Sequence, residues 1–304
     1  MQNPAAFSGV YPILYCYFTS DDRIDDAAMR AQIEACLVLK PAGLAVLGLA
    51  TEIMKLSTAE KLHLIHLTLH CVAGRVPVAV TIGGADKNER DRLIDHAKGE
   101  GASWLILQPA PDAISSEGDL ISSFSAMMAR ADMPVAIQHA PQFLGAALSS
   151  PGFNTLRARH AGFTLLKGEG SALETERLVA ETGRHFSIFA GRAGLEWPDM
   201  IRAGASGLIP APELLDVMLE IDRRMRSGDE AGAEILYAQA LPVVTFVMQS
   251  LASLHTYGKR LLAERIGLGP VHDRASFTAP TKLGLEITRR RSAFLKAWGS
   301  DFPR

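Results

Sequence analysis

Hydrophobic and polar positions alternate in two ways along the first 227 residues of the chain. Short apolar runs bounded by turn residues predict buried strands, and longer segments with an apolar position every three or four residues predict helices. The predicted strands lie near residues 10–17, 43–48, 76–81, 103–108, 134–138, 162–167, 186–190 and 206–209. The predicted helices between and after them lie at 25–39, 57–73, 86–98, 117–130, 150–159, 171–182, 194–203 and 211–227.

Local helix signals support this division. Ser57 and Glu60 have the spacing of a capping box at the start of the second helix, and Gly74 follows its last turn as a helix-stop residue. Several strands follow a Gly-Ala or Gly-x pair, which is typical of short helix-to-strand connections. The chain therefore alternates strand and helix with little room for long loops.

Eight strand–helix units predict a (β/α)₈ TIM barrel, because an alternating pattern of about this length suits closure of a parallel sheet. The main alternative is an open doubly wound sheet, but no GxGxxG motif follows the first strand. After the barrel, residues 229–253, 255–266 and 281–297 predict helices without strands. We expect residues 1–227 to form the barrel that carries the active site. Residues 228–304 should form a three-helix C-terminal extension packed on it.

Composition narrows the class of protein. Hydrophobic residues make up 48% of the 304 residues, charged residues 21%, and the formal net charge is −2, which is ordinary for a globular protein. This charge gives no footprint for nucleic acid. The start of the chain lacks the pattern of a secretory signal, and no apolar run is long enough to span a membrane. We expect a cytoplasmic protein with no nucleic-acid or membrane partner.

The three cysteines bear on redox state and metal binding. Cys16, Cys36 and Cys71 are widely spaced and odd in number, which argues against a disulfide framework and fits a reducing compartment. No pair of cysteine or histidine residues has the spacing of a zinc site. Three histidines, His63, His66 and His70, share one face of a helix away from its apolar residues. We expect a surface or subunit contact there, and no metal.

The candidate for chemistry is the lysine that ends the sixth predicted strand. Phe163, Leu165 and Lys167 lie on one face of that strand because side chains alternate. Active sites of such barrels lie at the C-terminal ends of the strands. A lysine in this position either reaches solvent or acts as an amine nucleophile that forms a Schiff base with a carbonyl substrate.

Four segments give the chain a family resemblance. They are Leu165-Leu166-Lys167, the loop Gly48-Leu49-Ala50-Thr51-Glu52, the segment Pro134 to Pro141, and Gly191 with the later Gly204 to Ile209. In order and spacing they resemble the dihydrodipicolinate synthase/N-acetylneuraminate lyase family of class I aldolases. The resemblance covers nearly the whole chain, and it matches Lys167 to the Schiff-base lysine of that family.

The resemblance implies a lyase or aldolase reaction. Lys167 would condense with a 2-keto acid such as pyruvate, and the resulting enamine would add to an aldehyde, or the reverse step would cleave a carbon–carbon bond. The resemblance also implies a homotetramer and no cofactor. It implies that the pocket around Lys167 is lined by a small set of residues. They are Ala50, Thr51, Gln138, Gly191 and Ile209.

The sequence departs from the family where the family does its chemistry. The hydroxyl pair that binds the keto-acid carboxylate is replaced by Leu49 and Ala50, and the proton-relaying tyrosine is replaced by Gln138. An amide is neither an acid nor a base near neutral pH, so Gln138 cannot inherit the relay. The arginine of the synthases is matched by Phe143, and the aromatic pair after the fourth strand is matched by Ala110 and Pro111.

Three residues are candidates to replace the relay. The hydroxyl of Thr51 is close in sequence to the usual hydroxyl pair. His139 neighbours Gln138, and strand alternation turns it away from the barrel interior. Glu169 follows Lys167 by two residues, and we expect it to be a solvated loop carboxylate.

Two other functions remain open at this point. One is a 2-keto-3-deoxy sugar-acid aldolase or dehydratase, which uses the same first step on another substrate. The other, from a different class, is a non-catalytic ligand-binding protein on a degenerate barrel. In that protein Lys167 would only form an ion pair with an acidic ligand.

Overall fold

Eight parallel strands form the centre of the molecule. The computed structural model describes residues 7–183, 185–295 and 298–299. The strands are β1 Gly9–Val10, β2 Leu44–Val46, β3 Val78–Ile82, β4 Trp104–Leu107, β5 Val135–His139, β6 Phe163–Gly168, β7 Ser187–Ala190 and β8 Gly207–Leu208. They pair in the order β1-β8-β7-β6-β5-β4-β3-β2, and every pair is parallel. The fold is α/β, as the sequence predicts.

The chain just after β1 also pairs with β2. Ile13 forms a parallel bridge with Ala45, the Leu14 N–H donates to the Ala45 carbonyl, and the Ala45 N–H donates to the Pro12 carbonyl, both at 2.9 Å. The predicted first strand, 10–17, is therefore only partly formed. Pro12 has no N–H, so a regular ladder is interrupted there and resumes only as the bridge at Ile13.

Helices follow the strands along the outside. They are α1 Asp26–Val38, α2 Thr58–Val72, α3 Lys87–Gly99, α4 Glu117–Ala131, α5 Pro141–Leu144, α6 Ser150–Arg159, α7 Ala172–Glu181, α8 Trp197–Arg202 and α9 Leu215–Ser227. The predicted capping box is present, because the Ser57 hydroxyl accepts from the Glu60 N–H and the Glu60 carboxylate accepts from the Ser57 N–H. The four-residue helix α5 is not predicted from the sequence, because one turn is too short to show periodicity.

Most of the remaining described chain is helical. It contains α10 Glu230–Val247, α11 Leu251–Ser253, a π-helical turn Leu254–Gly258 that leads into α12 Lys259–Ile266, and α13 Lys282–Phe294. The predicted helix 229–253 breaks because Ser250 starts a new one: its hydroxyl accepts from the Ser253 N–H. Within the described residues no single helix is long and apolar enough to cross a membrane. One bent pair, Glu230–Val247 with Leu251–Ile266, meets the length and composition test, with an angle of 101°.

An aromatic cluster packs in the core between β4, β7 and the chain after β1. Trp104, the first residue of β4, lies 5.2 Å from Phe189 and 5.7 Å from Tyr11 between ring centroids. Gly207 leaves room for this cluster, since a Cβ there would come within 2.4 Å of the Phe189 ring. Phe189 is paired in register with Lys167 on β6, so this aromatic cluster lies next to the candidate site.

Candidate active site

Lys167 and Gln138 are neighbours on adjacent strands. They are paired in register on β6 and β5, close to the C-terminal end of each strand. Both side chains are buried, and Lys167 is only 3% exposed. A buried lysine needs a partner, since transferring an ammonium group out of water without one is costly. Its partner lies two residues further along the chain.

That partner is Glu169, whose Oε1 lies 3.1 Å from the Lys167 Nζ. Glu169 is only 6% exposed, so the expectation of a solvated loop residue is wrong. The Glu169 N–H donates to the His139 carbonyl at 3.0 Å, which continues the β5–β6 pairing beyond Gly168. Because alternation continues with it, Glu169 faces the same side as Lys167. That spacing of two was the sequence signal for this residue.

Two N–H donors and one ammonium group surround the Glu169 carboxylate. Oε1 forms an ion pair with the Lys167 ammonium and accepts from the Gln138 amide at 3.2 Å, and Oε2 accepts from the Arg192 backbone N–H at 3.0 Å. The Gln138 amide is itself oriented by Gln108, whose Nε2 donates to the Gln138 Oε1 at 3.0 Å. Gln138 therefore presents its NH₂ to Glu169. Gln108 was not predicted from the sequence, because a lone glutamine after a strand carries no distinctive pattern.

Gly191 lies against the Glu169 carboxylate, and its lack of a side chain leaves room for that group. A Cβ at this position would lie 1.9 Å from the Glu169 Oε2, which is too close for any real contact. The glycine is thus needed so that the carboxylate can reach the Arg192 N–H. Of the predicted pocket residues, Gln138 and Gly191 are brought together with Lys167.

The other predicted pocket residues lie at the C-terminal ends of β2 and β8. Ala50 and Thr51 are buried after β2, and the Thr51 hydroxyl donates to the Leu14 carbonyl at 2.6 Å. Ile209 is buried after β8, and its N–H donates to the Ala190 carbonyl at 2.8 Å. Within the described residues, no hydrogen bond joins these three to Lys167. The proton of the Thr51 hydroxyl is already held by a backbone acceptor.

His139 points away from the candidate site, as strand alternation predicts. Its ring packs edge-on against Phe153, with centroids 5.5 Å apart, and burial lowers its pKa. It lines a cavity of about 340 Å³ between the segment 141–153 and helix α7, which Lys167 does not line. His139 is therefore on the opposite side of β5 from Gln138.

A second buried lysine–glutamate pair joins the loop after β2 to the C-terminal helices. The Lys259 Nζ binds one oxygen of Glu52, and the Lys55 Nζ lies 2.6 Å from the other. Lys259 is fully buried and also faces the ring of Phe18 at 5.1 Å. Burial acts to raise the pKa of Glu52, but the neighbouring cationic groups, Lys259 foremost, lower it overall.

The histidines of helix α2 form surface contacts. His63 pairs with Asp26 at 2.8 Å, and His66 pairs with Glu100 at 2.9 Å and stacks on His70. The carboxylates that the sequence pattern lacked come from other helices, but each binds a different histidine. Among the residues that the structure describes, no group of three or more potential ligands is arranged to hold a metal ion.

Comparisons with known proteins identify relatives of this chain. The model of the dihydrodipicolinate synthetase family matches residues 6–267. A 4-hydroxy-tetrahydrodipicolinate synthase from Methanococcoides burtonii is 27% identical over 241 residues, which cover 78% of this chain and 82% of that protein. YagE of Escherichia coli, a candidate 2-dehydro-3-deoxy-D-gluconate aldolase, is 24% identical over 238 residues, covering 77% and 79%.

Solved structures share the fold at low identity. YagE in complex with pyruvate superposes with a TM-score of 0.85 at 21% identity, covering 95% of this chain and 99% of that one. A catalytic-lysine mutant of a Ruminococcus gnavus sialic acid aldolase superposes with a TM-score of 0.88 at 17% identity, covering 97% of each chain. With a family model that spans most of its length, the chain belongs to the dihydrodipicolinate synthetase family.

Proposed function

We propose that this protein is a class I aldolase-type lyase in which Lys167 forms a Schiff base with a 2-keto acid such as pyruvate. The observation that carries the proposal is a buried lysine near the C-terminal end of β6, in a chain of the dihydrodipicolinate synthetase family. Strand ends of this kind are where parallel barrels place their reacting groups. The lysine also has a carboxylate at hydrogen-bond distance.

The chemistry begins with nucleophilic attack. The uncharged Lys167 amine adds to the keto carbon, and loss of water gives an iminium ion. The iminium withdraws electrons from the neighbouring carbon, so that this carbon loses a proton and an enamine forms. The enamine attacks an aldehyde, or in the reverse direction a carbon–carbon bond breaks. Ala50, Thr51, Gln138, Gly191 and Ile209 are proposed to line the space around the bound keto acid.

The relatives support this substrate class. One of the structures of the same fold is a complex with pyruvate, and another carries a mutation at its catalytic lysine. Both belong to proteins of this aldolase type. Pyruvate is accordingly the first 2-keto acid to test on this chain.

The reaction that follows the Schiff base is proposed at two levels. The general reaction is aldol-type bond formation or cleavage, in the manner of a dihydrodipicolinate synthase. For the specific substrate we keep a second candidate, a 2-keto-3-deoxy sugar acid, because YagE is similar over 77% of this chain. Leu49, Ala50 and Gln138 stand where the synthases use hydroxyl groups and a tyrosine. We therefore expect weak or absent turnover with pyruvate and aspartate semialdehyde in a coupled synthase assay.

The finer architecture is part of the same proposal. We infer a closed (β/α)₈ TIM barrel over residues 1–227, supported by the hydrogen bonds between the chain after β1 and β2. Residues 228–304 would be a three-helix C-terminal extension, supported by the helices α10, α12 and α13. A homotetramer in the cytoplasm is expected from the family resemblance and from composition.

One experiment tests the first chemical step. The protein is incubated with pyruvate and with a panel of other 2-keto acids, reduced with borohydride and weighed by mass spectrometry. We expect a covalent adduct with at least one acid, and no adduct in Lys167→Ala. An absence of adducts across the whole panel would contradict the proposal. It would favour the binding protein in which Lys167 only pairs with an acidic ligand.

A further inference from the structure

We propose that Glu169 is the catalytic acid and base of this site and replaces the tyrosine relay that the sequence lacks. The inference rests on the proposed function, since Glu169 would serve the Schiff base at Lys167. Its Oε1 lies 3.1 Å from the Lys167 Nζ, the atom that reacts. That distance is within the reach of direct proton transfer, about 2.6–3.2 Å between heavy atoms.

The surroundings hold the carboxylate in one place. The Gln108–Gln138 pair presents an amide N–H to Oε1, and the Arg192 N–H binds Oε2. The backbone is fixed as well, because the Gln142 amide donates to the Glu169 carbonyl at 2.8 Å. A catalytic group held by several neighbours acts without first being ordered, which is the main requirement for efficient proton transfer. Gln138 thus supports the relay without carrying a proton itself.

The other candidates for the relay are engaged elsewhere. The Thr51 hydroxyl donates to the Leu14 carbonyl, and His139 packs against Phe153 on the far side of β5. The amide of Gln138 does not exchange protons near neutral pH. Of the groups that the sequence suggested, Glu169 both has a carboxyl group that can exchange protons and contacts Lys167.

Glu169 carries one proton at a time through these steps. The Glu169 carboxylate takes a proton from the Lys167 ammonium, and the free amine attacks the keto carbon. As the carbinolamine forms, the nitrogen bonded to the keto carbon loses a proton to solvent and the oxygen gains one from solvent. Glu169 then protonates the hydroxyl, which leaves as water while the nitrogen lone pair forms the iminium.

The same carboxylate takes part in forming the enamine and in its addition to the aldehyde. It removes a proton from the carbon next to the iminium, and the electrons of that C–H bond become the enamine double bond. When the enamine attacks an aldehyde, Glu169 gives this proton to the aldehyde oxygen. No oxidant or reductant takes part in any step.

Deuterium exchange measures the enamine step without knowledge of the aldehyde. The protein is mixed with pyruvate in D₂O, and loss of the methyl protons is followed by NMR, with borohydride trapping on the same samples. We expect exchange with the wild type and none with Lys167→Ala. In Glu169→Gln the adduct should still accumulate on long incubation, while exchange falls about 10²–10⁴-fold. Glu169→Asp should recover part of the rate.

The outcomes separate the two proposals. If the wild type forms no adduct with pyruvate or any other 2-keto acid, the proposed function fails and this inference with it. If Glu169→Gln forms the adduct and exchanges at the wild-type rate, the Schiff base stands and Glu169 is not the relay. If Glu169→Gln is folded but never forms an adduct, Glu169 only holds Lys167 in place, and the inference is wrong. The pH profile gives an independent check, because Glu169→Gln should lose one limb of the wild-type exchange profile.

A second variant displaces the Glu169 carboxylate without replacing the residue. In Gly191→Ala the new Cβ would lie 1.9 Å from the Glu169 Oε2, so the carboxylate must move. We expect exchange to fall by about 100-fold, which is the typical cost of displacing a catalytic group by an ångström. Gly168→Ala is the matched control, because its Cβ would meet only Ile188, at an ordinary 3.8 Å. Equal exchange rates in these two variants would overturn the inference.

Discussion

Two buried lysines in this molecule each bind a buried glutamate, yet their surroundings differ. Lys259 shares Glu52 with a second cation, Lys55, and faces the ring of Phe18. Lys167 shares Glu169 with two neutral donors, the Gln138 amide and the Arg192 N–H. The exposed fractions are nearly the same, 0% for Lys259 and 3% for Lys167. Burial alone therefore does not distinguish them.

The number of charges around each carboxylate does distinguish them. Glu52 holds two cations from different parts of the chain, and so it ties the C-terminal helices to the loop after β2. Glu169 holds a single cation that lies next to it on the same strand end, so the pair fastens no distant segments together. A buried pair that connects nothing adds little to stability, because desolvation offsets most of its attraction. We attribute the first pair to structure and the second to chemistry.

Removing the reactive amine should have the largest effect. Lys167→Met should lose adduct formation and methyl exchange, with exchange reduced about 10⁴-fold or more, as when other covalent nucleophiles are removed. The fold should persist, because Glu169 keeps the donors from Gln138 and Arg192. Exchange by NMR and circular dichroism of the same sample check this. Wild-type exchange in the variant would remove Lys167 from the mechanism.

Removing the other lysine should affect stability instead. Lys259→Met leaves a buried carboxylate with less compensation, and we expect the free energy of unfolding to fall by about 3–5 kcal/mol. The folded fraction should still form the keto-acid adduct at Lys167. Urea unfolding measures the first effect and borohydride trapping measures the second. Lys55→Met is the matched control, since that side chain is 20% exposed and should cost less. An unchanged unfolding midpoint in Lys259→Met would break the comparison.

A third buried glutamate, Glu213, should have a smaller effect on the free energy of unfolding, and this effect should depend on pH. Glu213 accepts from the Tyr15 hydroxyl at 2.7 Å, and burial raises its pKa from 4.5 to about 7, although Tyr15 and Arg265 oppose the rise. The folded protein then binds more protons than the unfolded chain between pH 4.5 and about 7. This contribution is fully present below 4.5 and is lost as the pH rises through 7.

Replacing that carboxyl should remove the pH dependence. Relative to the wild type, Glu213→Gln should be more stable at pH 8 than at pH 5, by about 3 kcal/mol or less. The measurement is the urea unfolding free energy at the two pH values, with exposed Glu264→Gln as control. The pKa of Glu52 is lowered by its lysines, so its contribution to the free energy of unfolding should not change over this pH range. Parallel pH curves for wild type and Glu213→Gln would contradict the assignment.

Much of the fold could be predicted from the sequence because its patterns are local. The period of two in strands, the capping box at Ser57 and the glycines before strands all act within a few residues. The predicted first strand is longer than the regular strand β1, because the apolar run continues past Pro12, which lacks the N–H that a regular ladder with β2 needs. The break near Ser250 was missed for the same reason, since a serine cap inside an apolar segment changes the period little.

The residues of the site could be predicted only where they stand at the ends of strands that the sequence pattern identifies. Lys167 and Gln138 stand at strand ends, and the structure places them in register. The sequence predicts a solvated Glu169, because the apolar strand pattern ends at Gly168, whereas the strand pairing continues through Glu169. Gln108 was missed, and the Lys259–Glu52 pair joins positions 207 residues apart that no local pattern connects. Contacts of that kind follow from packing, which the sequence alone does not show.

The most direct test of the central claim is to locate the trapped adduct among the lysines. The wild type is reduced with borohydride in the presence of a reactive 2-keto acid, digested, and mapped by tandem mass spectrometry. We predict modification of Lys167, with Lys55 and Lys259 unmodified. A modified Lys259, or an adduct spread over surface lysines with Lys167 intact, would contradict the account.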